Sequence, residues 1–162
     1  MKTMTTTVFS AEFVNADNIS FDIYIEQATS DFDVNGITVH AATFTVWIAN
    51  NATDNMGGVS FGKLEGGLDR AFEFVQELIS EIHLTVVDKP AYKTTLESEG
   101  DEDSAEGQLR LESFVTVEYR QKRGTYLTNN YRVAFENASH VSSSEFDTYA
   151  EAKERFDSER DE

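Results

Sequence analysis

Hydrophobic and polar positions alternate through the first third of the chain. Phe9, Ala11 and Phe13 are separated by polar or small residues, and Phe21, Ile23 and Ile25 alternate with Ser20, Asp22, Tyr24 and Glu26. A third run extends from Ile37 to Ala49. A period of two predicts strands with one buried face. Asn35-Gly36, between the second and third runs, predicts a two-residue hairpin turn, because both central positions require positive φ. That turn sets a register in which Ile25 faces Val46, Ile23 faces Ile48 and Tyr24 faces Trp47, so two apolar sets meet on one face. The other face carries Phe32, Val34, Ile37, Val39 and Trp47, which is too apolar for an open surface and implies cover by a second layer or a partner.

The period then changes. Leu68, Phe72, Val75, Ile79 and Ile82 recur at helical spacing and predict a helix over about 67–82, widened by Phe74 and Leu78. Leu84-Thr85-Val86 predicts a short strand ending before Pro90. Residues 94–108 hold six acids, two glycines and no base, which predicts an extended, solvated loop. Leu111, Val115, Val117 and Tyr119 line one face of a further strand. A three-residue loop closing at Gln121 and Thr125 places Leu111 opposite Phe135 and Val115 opposite Tyr131. Thr148 and Glu151 have capping-box spacing. They begin a final helix with Tyr149, Ala152, Lys153 and Phe156 on its inner face and a frayed end from Asp157. The order predicts an α+β fold: an antiparallel sheet built from two long hairpins, with two helices packed on it. The chain reads as a single domain over 1–162. Two hairpin-then-helix halves, about 1–93 and 109–162, are joined by the acidic loop 94–108.

Composition adds a strong charge bias. Thirty acids against thirteen bases give a net charge of -17 over 162 residues. Such a surface repels nucleic acid and anionic membrane and attracts proteins with basic grooves. Residues 51–108 carry thirteen of the acids and four of the bases. Adaptation to high salt is a second source of acidity: there are six Lys, although twelve Phe and nine Asn fit that origin less well. There is no Cys, so no disulfide or thiolate chemistry is expected. Met1 to Thr7 has no apolar signal core, and no apolar run approaches the roughly 20 residues of a membrane helix; both lead to an expected cytoplasmic location. The sequons Asn18-Ile-Ser20, Asn51-Ala-Thr53 and Asn137-Ala-Ser139 are read as chance matches on that basis.

Glu65, Asp69, Glu73, Glu77 and Glu81 fall at intervals of four. On a helix each step rises about 6 Å and turns about 40° beyond a full circle, so they predict a slanted ridge of carboxylates. Like charges at this spacing cost about 0.2–0.5 kcal/mol per pair. The spacing approximates the repeat of a phosphate backbone, about 3.4 Å per strand. Glu97, Glu99, Asp101, Glu102, Asp103 and Glu106 extend the charge, and these eleven residues form the candidate partner-binding surface.

Other motifs weigh less. Asp31-Phe32-Asp33-Val34-Asn35-Gly36 matches the first half of a calcium loop, but Ala42 stands where a bidentate Glu is required. Gly57 to Lys63 has the spacing of a phosphate-binding loop, but Leu64 replaces the hydroxyl that holds magnesium. His40, His83 and His140 lack metal spacing, and His40 is expected opposite Asp31. Arg120, Lys122 and Arg123 make a basic hairpin tip. No catalytic constellation, metal site or cofactor fingerprint is found.

These features point to a non-enzymatic inhibitor or binding protein. It would occupy the basic nucleic-acid-binding site of a host defence or DNA- or RNA-handling protein by charge mimicry. Phages and mobile elements encode such proteins against restriction and CRISPR systems, an analogy of class only. The competing expectation is an accessory or structural protein of a phage or bacterium that self-assembles, as a homodimer or beyond, through its apolar sheet face. In that case the acidity serves solubility.

Overall fold

The computed structural model describes residues 2–62, 67–87, 91–100, 106–120 and 124–160, without the side chains of residues 2–4, 32, 40, 91 and 118–120. Within this range the fold is α+β, mostly antiparallel sheet with two helices. Its elements are β1 (Lys2–Val14), β2 (Ser20–Val34), β3 (Ile37–Asn50), β4 (Met56–Gly62), α1 (Gly67–Glu81), β5 (Thr85–Val86), β6 (Ala91–Gly100), β7 (Gln108–Arg120), β8 (Gly124–Glu136), β9 (Val141–Phe146) and α2 (Tyr149–Arg160).

The strands form two sheets, ordered β4-β3-β2-β1-β5 and β6-β7-β8-β9. This is richer than two hairpins, because each half is a four-stranded meander followed by a helix. The two meanders meet at their first strands. There the Thr94 hydroxyl of β6 donates to the Val8 carbonyl of β1 at 3.0 Å. Each first strand carries a bulge, between Thr7 and Phe9 in β1 and between Thr95 and Glu97 in β6. A bulge adds one residue and breaks the alternation. It lets Val8 join Phe9 in the core, and Leu96 is likewise buried.

The β2–β3 hairpin has the register set by its turn, with Ile25 opposite Val46, Tyr24 opposite Trp47 and Asp31 opposite His40. Asn35 and Gly36 both have positive φ, 51° and 83°. The β7–β8 register differs from expectation by two residues. Arg120 pairs with Gly124, Leu111 with Val133 and Ser113 with Tyr131. The faces are unchanged because a slip of two preserves them. The expected acidic loop is also corrected: residues 91–100 are β6, which pairs with β7 down to Gly100 opposite Gln108. The glycine-rich stretch is the edge strand β4, with Gly58 opposite Trp47 and Gly57 opposite Ile48. The helical end at Asp157 extends to Arg160. There Arg160 and Lys153 both ion-pair with Asp157.

One hydrophobic cluster spans both sheets and both helices. Leu68, Ala71, Phe72, Val75 and Ile79 of α1 are buried in it, with Tyr149, Ala152 and Phe156 of α2. α1 packs on β3 and β4 of the first sheet and on β8 of the second. The Tyr149 ring stands edge-on to Phe44 of β3 and to Tyr131 of β8, with centroids 5.6 and 5.9 Å away. Among the described residues no helix packs on the outer face of the first sheet. Val34 and Ile37 are 47% and 68% exposed there, Val39 and Trp47 are half-buried, and the Phe32 side chain is outside the description.

Trp47 lies over its neighbour on β4. A Cβ at Gly58 would stand 2.7 Å from the indole ring. Gly58→Ala should therefore destabilise by about 1–3 kcal/mol in urea unfolding. The same substitution in a Trp47→Ala background should be close to neutral. Equal losses in both backgrounds would show that the indole does not exclude a side chain.

Candidate functional site

α1 has one face pressed into the core and the opposite face in water. Glu73, Glu77 and Glu81 are exposed, and among the described residues none of them makes an ion pair. The first member of the expected ridge, Glu65, lies outside the described residues. The second does not belong to the ridge at all. Asp69 is half-buried, its Oδ1 accepts from the Tyr131 hydroxyl at 2.8 Å, and its Oδ2 accepts from the Tyr149 backbone N–H at 2.7 Å. Tyr149 opens α2. Asp69 thus serves an orphan donor of the second helix from the first turn of the other. The physical reason is the drift of the row, about 40° per step, which carries its early members toward the buried side.

Burial is the main influence on Asp69 and holds its carboxyl above the usual carboxylate range, against the pull of its two hydrogen bonds. Burial first, and then the Asp69 carboxylate, push the Tyr131 phenol far above its ordinary value. Tyr149 moves in the same direction, mainly through burial. Both phenols therefore remain protonated across the physiological range, and that of Tyr131 stays the donor to Asp69.

The second group of expected site residues lies elsewhere. Glu97 is on β6 and binds Lys153 of α2. Glu99 and Glu106 are exposed. They line a cleft of about 830 Å³ at the C-terminal end of α2, beside Arg155, Glu159 and Arg160. Asp101, Glu102 and Asp103 lie outside the described residues. The carboxylates of α1 and those of β6 thus face different elements, and among the described residues of the original row Glu73, Glu77 and Glu81 remain together as an exposed ridge.

Positive charge is drawn inward in the second half. Glu112 on β7 is 1% exposed. Its Oε1 receives Nε and Nη2 of Arg132 at 3.1 and 3.0 Å. Its Oε2 faces Lys93 at 3.2 Å and Arg110 at 3.6 Å. Arg132 also stacks over Phe114, 4.6 Å from the ring centre. Three of the thirteen bases therefore meet at one internal carboxylate, Arg110 being shared with Glu136 at 3.5 Å. Sequence reasoning missed this cluster because Arg132 stands opposite Glu112 only in the observed register. The basic tip at Lys122 and Arg123 is outside the described residues, as is the side chain of Arg120.

The turn at Asp31–Gly36 is a hairpin turn, in which the Asp33 carboxylate accepts from the Thr38 hydroxyl at 3.0 Å. Among the described residues no group of three His, Asp or Glu side chains is placed to hold a metal ion, and no helix is long and apolar enough to cross a membrane. Comparison with protein-family models, curated proteins and solved structures gives no match to this chain.

Asp69 generates a pH dependence whose sign is fixed. Its folded value exceeds its unfolded one, so the native state holds a proton that the unfolded state has released. The associated stability is present in acid and is lost as pH rises through the folded value. Against Asp69→Asn, which does not titrate, the wild-type advantage should shrink from about pH 4 to neutral in urea unfolding. An advantage that stays constant or grows with pH would mean that burial does not dominate at this carboxyl.

Proposed function

We propose that this chain is a non-enzymatic acidic protein that occupies the basic nucleic-acid-binding surface of another protein, with α1 as its docking ridge. The observation that carries this reading is the exposed row Glu73, Glu77 and Glu81 on a helix fixed from behind by two sheets. Their carboxylates would pair with the Lys and Arg side chains that otherwise hold phosphates, as charge-assisted hydrogen bonds. Because the helix is already immobilised, little ordering entropy opposes docking. The net charge of -17 speeds encounter with a cationic partner at low salt. The internal pairing of Lys93, Arg110 and Arg132 with Glu112 leaves those bases unable to neutralise the ridge. Anti-restriction or anti-CRISPR inhibition in a host cytoplasm is the setting this chemistry suits, with a phage or mobile element as its source. Glu99 and Glu106 would belong to a separate acidic surface.

A second reading has its own observation. Val34 and Ile37 are exposed together at the β2–β3 tip, on the outer face where no helix packs. Self-association through that face would make the charge a solubility device.

Displacement of duplex DNA from a DNA-cleaving defence nuclease, followed by fluorescence anisotropy, tests the first reading. The wild type should displace DNA at low salt and lose that ability as salt rises. Glu73→Lys, Glu77→Lys and Glu81→Lys combined should weaken displacement at least about a hundredfold, because each charge-assisted hydrogen bond contributes about 1.5–3 kcal/mol. An undiminished triple variant would refute the ridge. A dimer that persists at high salt and is lost in Ile37→Asp would favour self-association.

A further inference from the structure

Gln27 interrupts the apolar inner face of β2, two residues beyond Ile25 and opposite Phe44. It is 2% exposed, and its amide nitrogen has no hydrogen-bond partner among the described residues. An unsatisfied buried amide costs about 1–3 kcal/mol. Gln27 lines a cavity of about 580 Å³ where the β2–β3 hairpin, β6 and α2 face one another. That volume lies within the range of small-molecule sites, about 300–1,000 Å³.

Corresponding positions of the two helices are used differently. In α1 the eighth residue after Leu68 is Gln76. Its amide donates to the Thr125 carbonyl and accepts from the Leu127 N–H, closing α1 onto β8. The eighth residue after Tyr149 in α2 is Asp157. Its carboxylate turns along the helix to Lys153 and Arg160 instead, and the cavity lies beside it. Lys153 is itself 8% exposed, held by Glu97 from the opposite wall.

The lining specifies a ligand class. Asp31, Glu97, Glu99 and Asp157 against Lys153 and Arg160 make the walls net negative, which opposes an anion. Thr29 and Thr95 add hydroxyls. A ligand hydroxyl both donates and accepts. It therefore satisfies the Gln27 amide in either orientation of that amide and bonds the neighbouring carboxylates as well. We propose that this cavity binds a small neutral polyol of saccharide size, with Gln27 as the buried anchor. No residue of α1 lines the cavity, so the site is independent of the docking ridge.

The test is a titration of the ¹⁵N-labelled full chain with D-glucose and with trehalose, read by NMR. The Gln27 side-chain amide should shift saturably with at least one of the sugars. Gln27→Leu should weaken the apparent affinity about fivefold to tenfold, the worth of one neutral hydrogen bond. Thr29→Val on the same wall should also weaken it, and serves if Gln27→Leu does not fold. The combined Glu73→Lys, Glu77→Lys and Glu81→Lys variant should bind sugar as the wild type does. Absence of a saturable shift at Gln27 with either sugar would overturn the proposal. So would unchanged affinity in a folded Gln27→Leu, or a saturable response to spermidine or citrate in place of sugar.

Discussion

The two sheets share no backbone ladder among the described residues, so burial of the apolar stripe of α1 is the interaction on which the assembly rests. Leu68, Phe72, Val75 and Ile79 fill the space between β3 and β8. Each fully buried side chain of this size contributes about 1.5–3 kcal/mol. Two polar contacts then fix direction: Gln76 binds the backbone of β8, and Asp69 binds the first amide of α2. A helix committed on that side has one face left for solvent. The carboxylates at 73, 77 and 81 occupy that face, so the element that joins the halves is also the one best able to present charge rigidly.

The halves mirror each other around β1 and β6. Each contains a bulged first strand, a long central hairpin, a short edge strand and a helix. Phe44 and Tyr131 occupy matching places, each packed edge-on to Tyr149. Leu68, Ala71, Phe72 and Val75 have the same spacing as Tyr149, Ala152, Lys153 and Phe156. The correspondence is one of position rather than of residue type, and the differences are informative. Where the first half has Phe72, the second has Lys153, whose buried ammonium requires Glu97 and Asp157. A buried charge is tolerated only when paired and hydrogen-bonded. Those partners tie α2 to β6 by an ion pair at the position where α1 buries an aromatic ring.

Much of this was legible in the sequence, and the failures have physical causes. Asn35-Gly36 fixed the β2–β3 register because a type I′ turn leaves no freedom at its ends. The period of α1 and the inner face of α2, Lys153 included, were readable from spacing. The β7–β8 register was not, since a slip of two keeps every side chain on its own face and the apolar pattern fits both pairings. β6 was hidden because its acids looked like a solvated loop, although Thr94 and Leu96 are buried. β9 reads Val-Ser-Ser-Ser-Glu-Phe, and an almost fully exposed edge strand leaves little alternation to detect. Asp69 fitted a period of four, but its bond to Tyr131 depends on a strand sixty-two residues away. Gln27 carried a usable signal: its parity places it inward with Ile23 and Ile25.

Among the described residues the outermost strands, β4 and β9, each leave one margin of a sheet without a neighbouring strand. β4 holds three glycines and β9 three serines, with neither lysine nor proline in either. Strand margins of this kind invite pairing with another molecule, and natural proteins usually guard them with lysine, proline or cover. Here mutual repulsion between highly anionic molecules acts as a guard. That repulsion vanishes near the isoelectric point of about 4.4, so acidification toward that value would remove the charge barrier to margin-to-margin pairing.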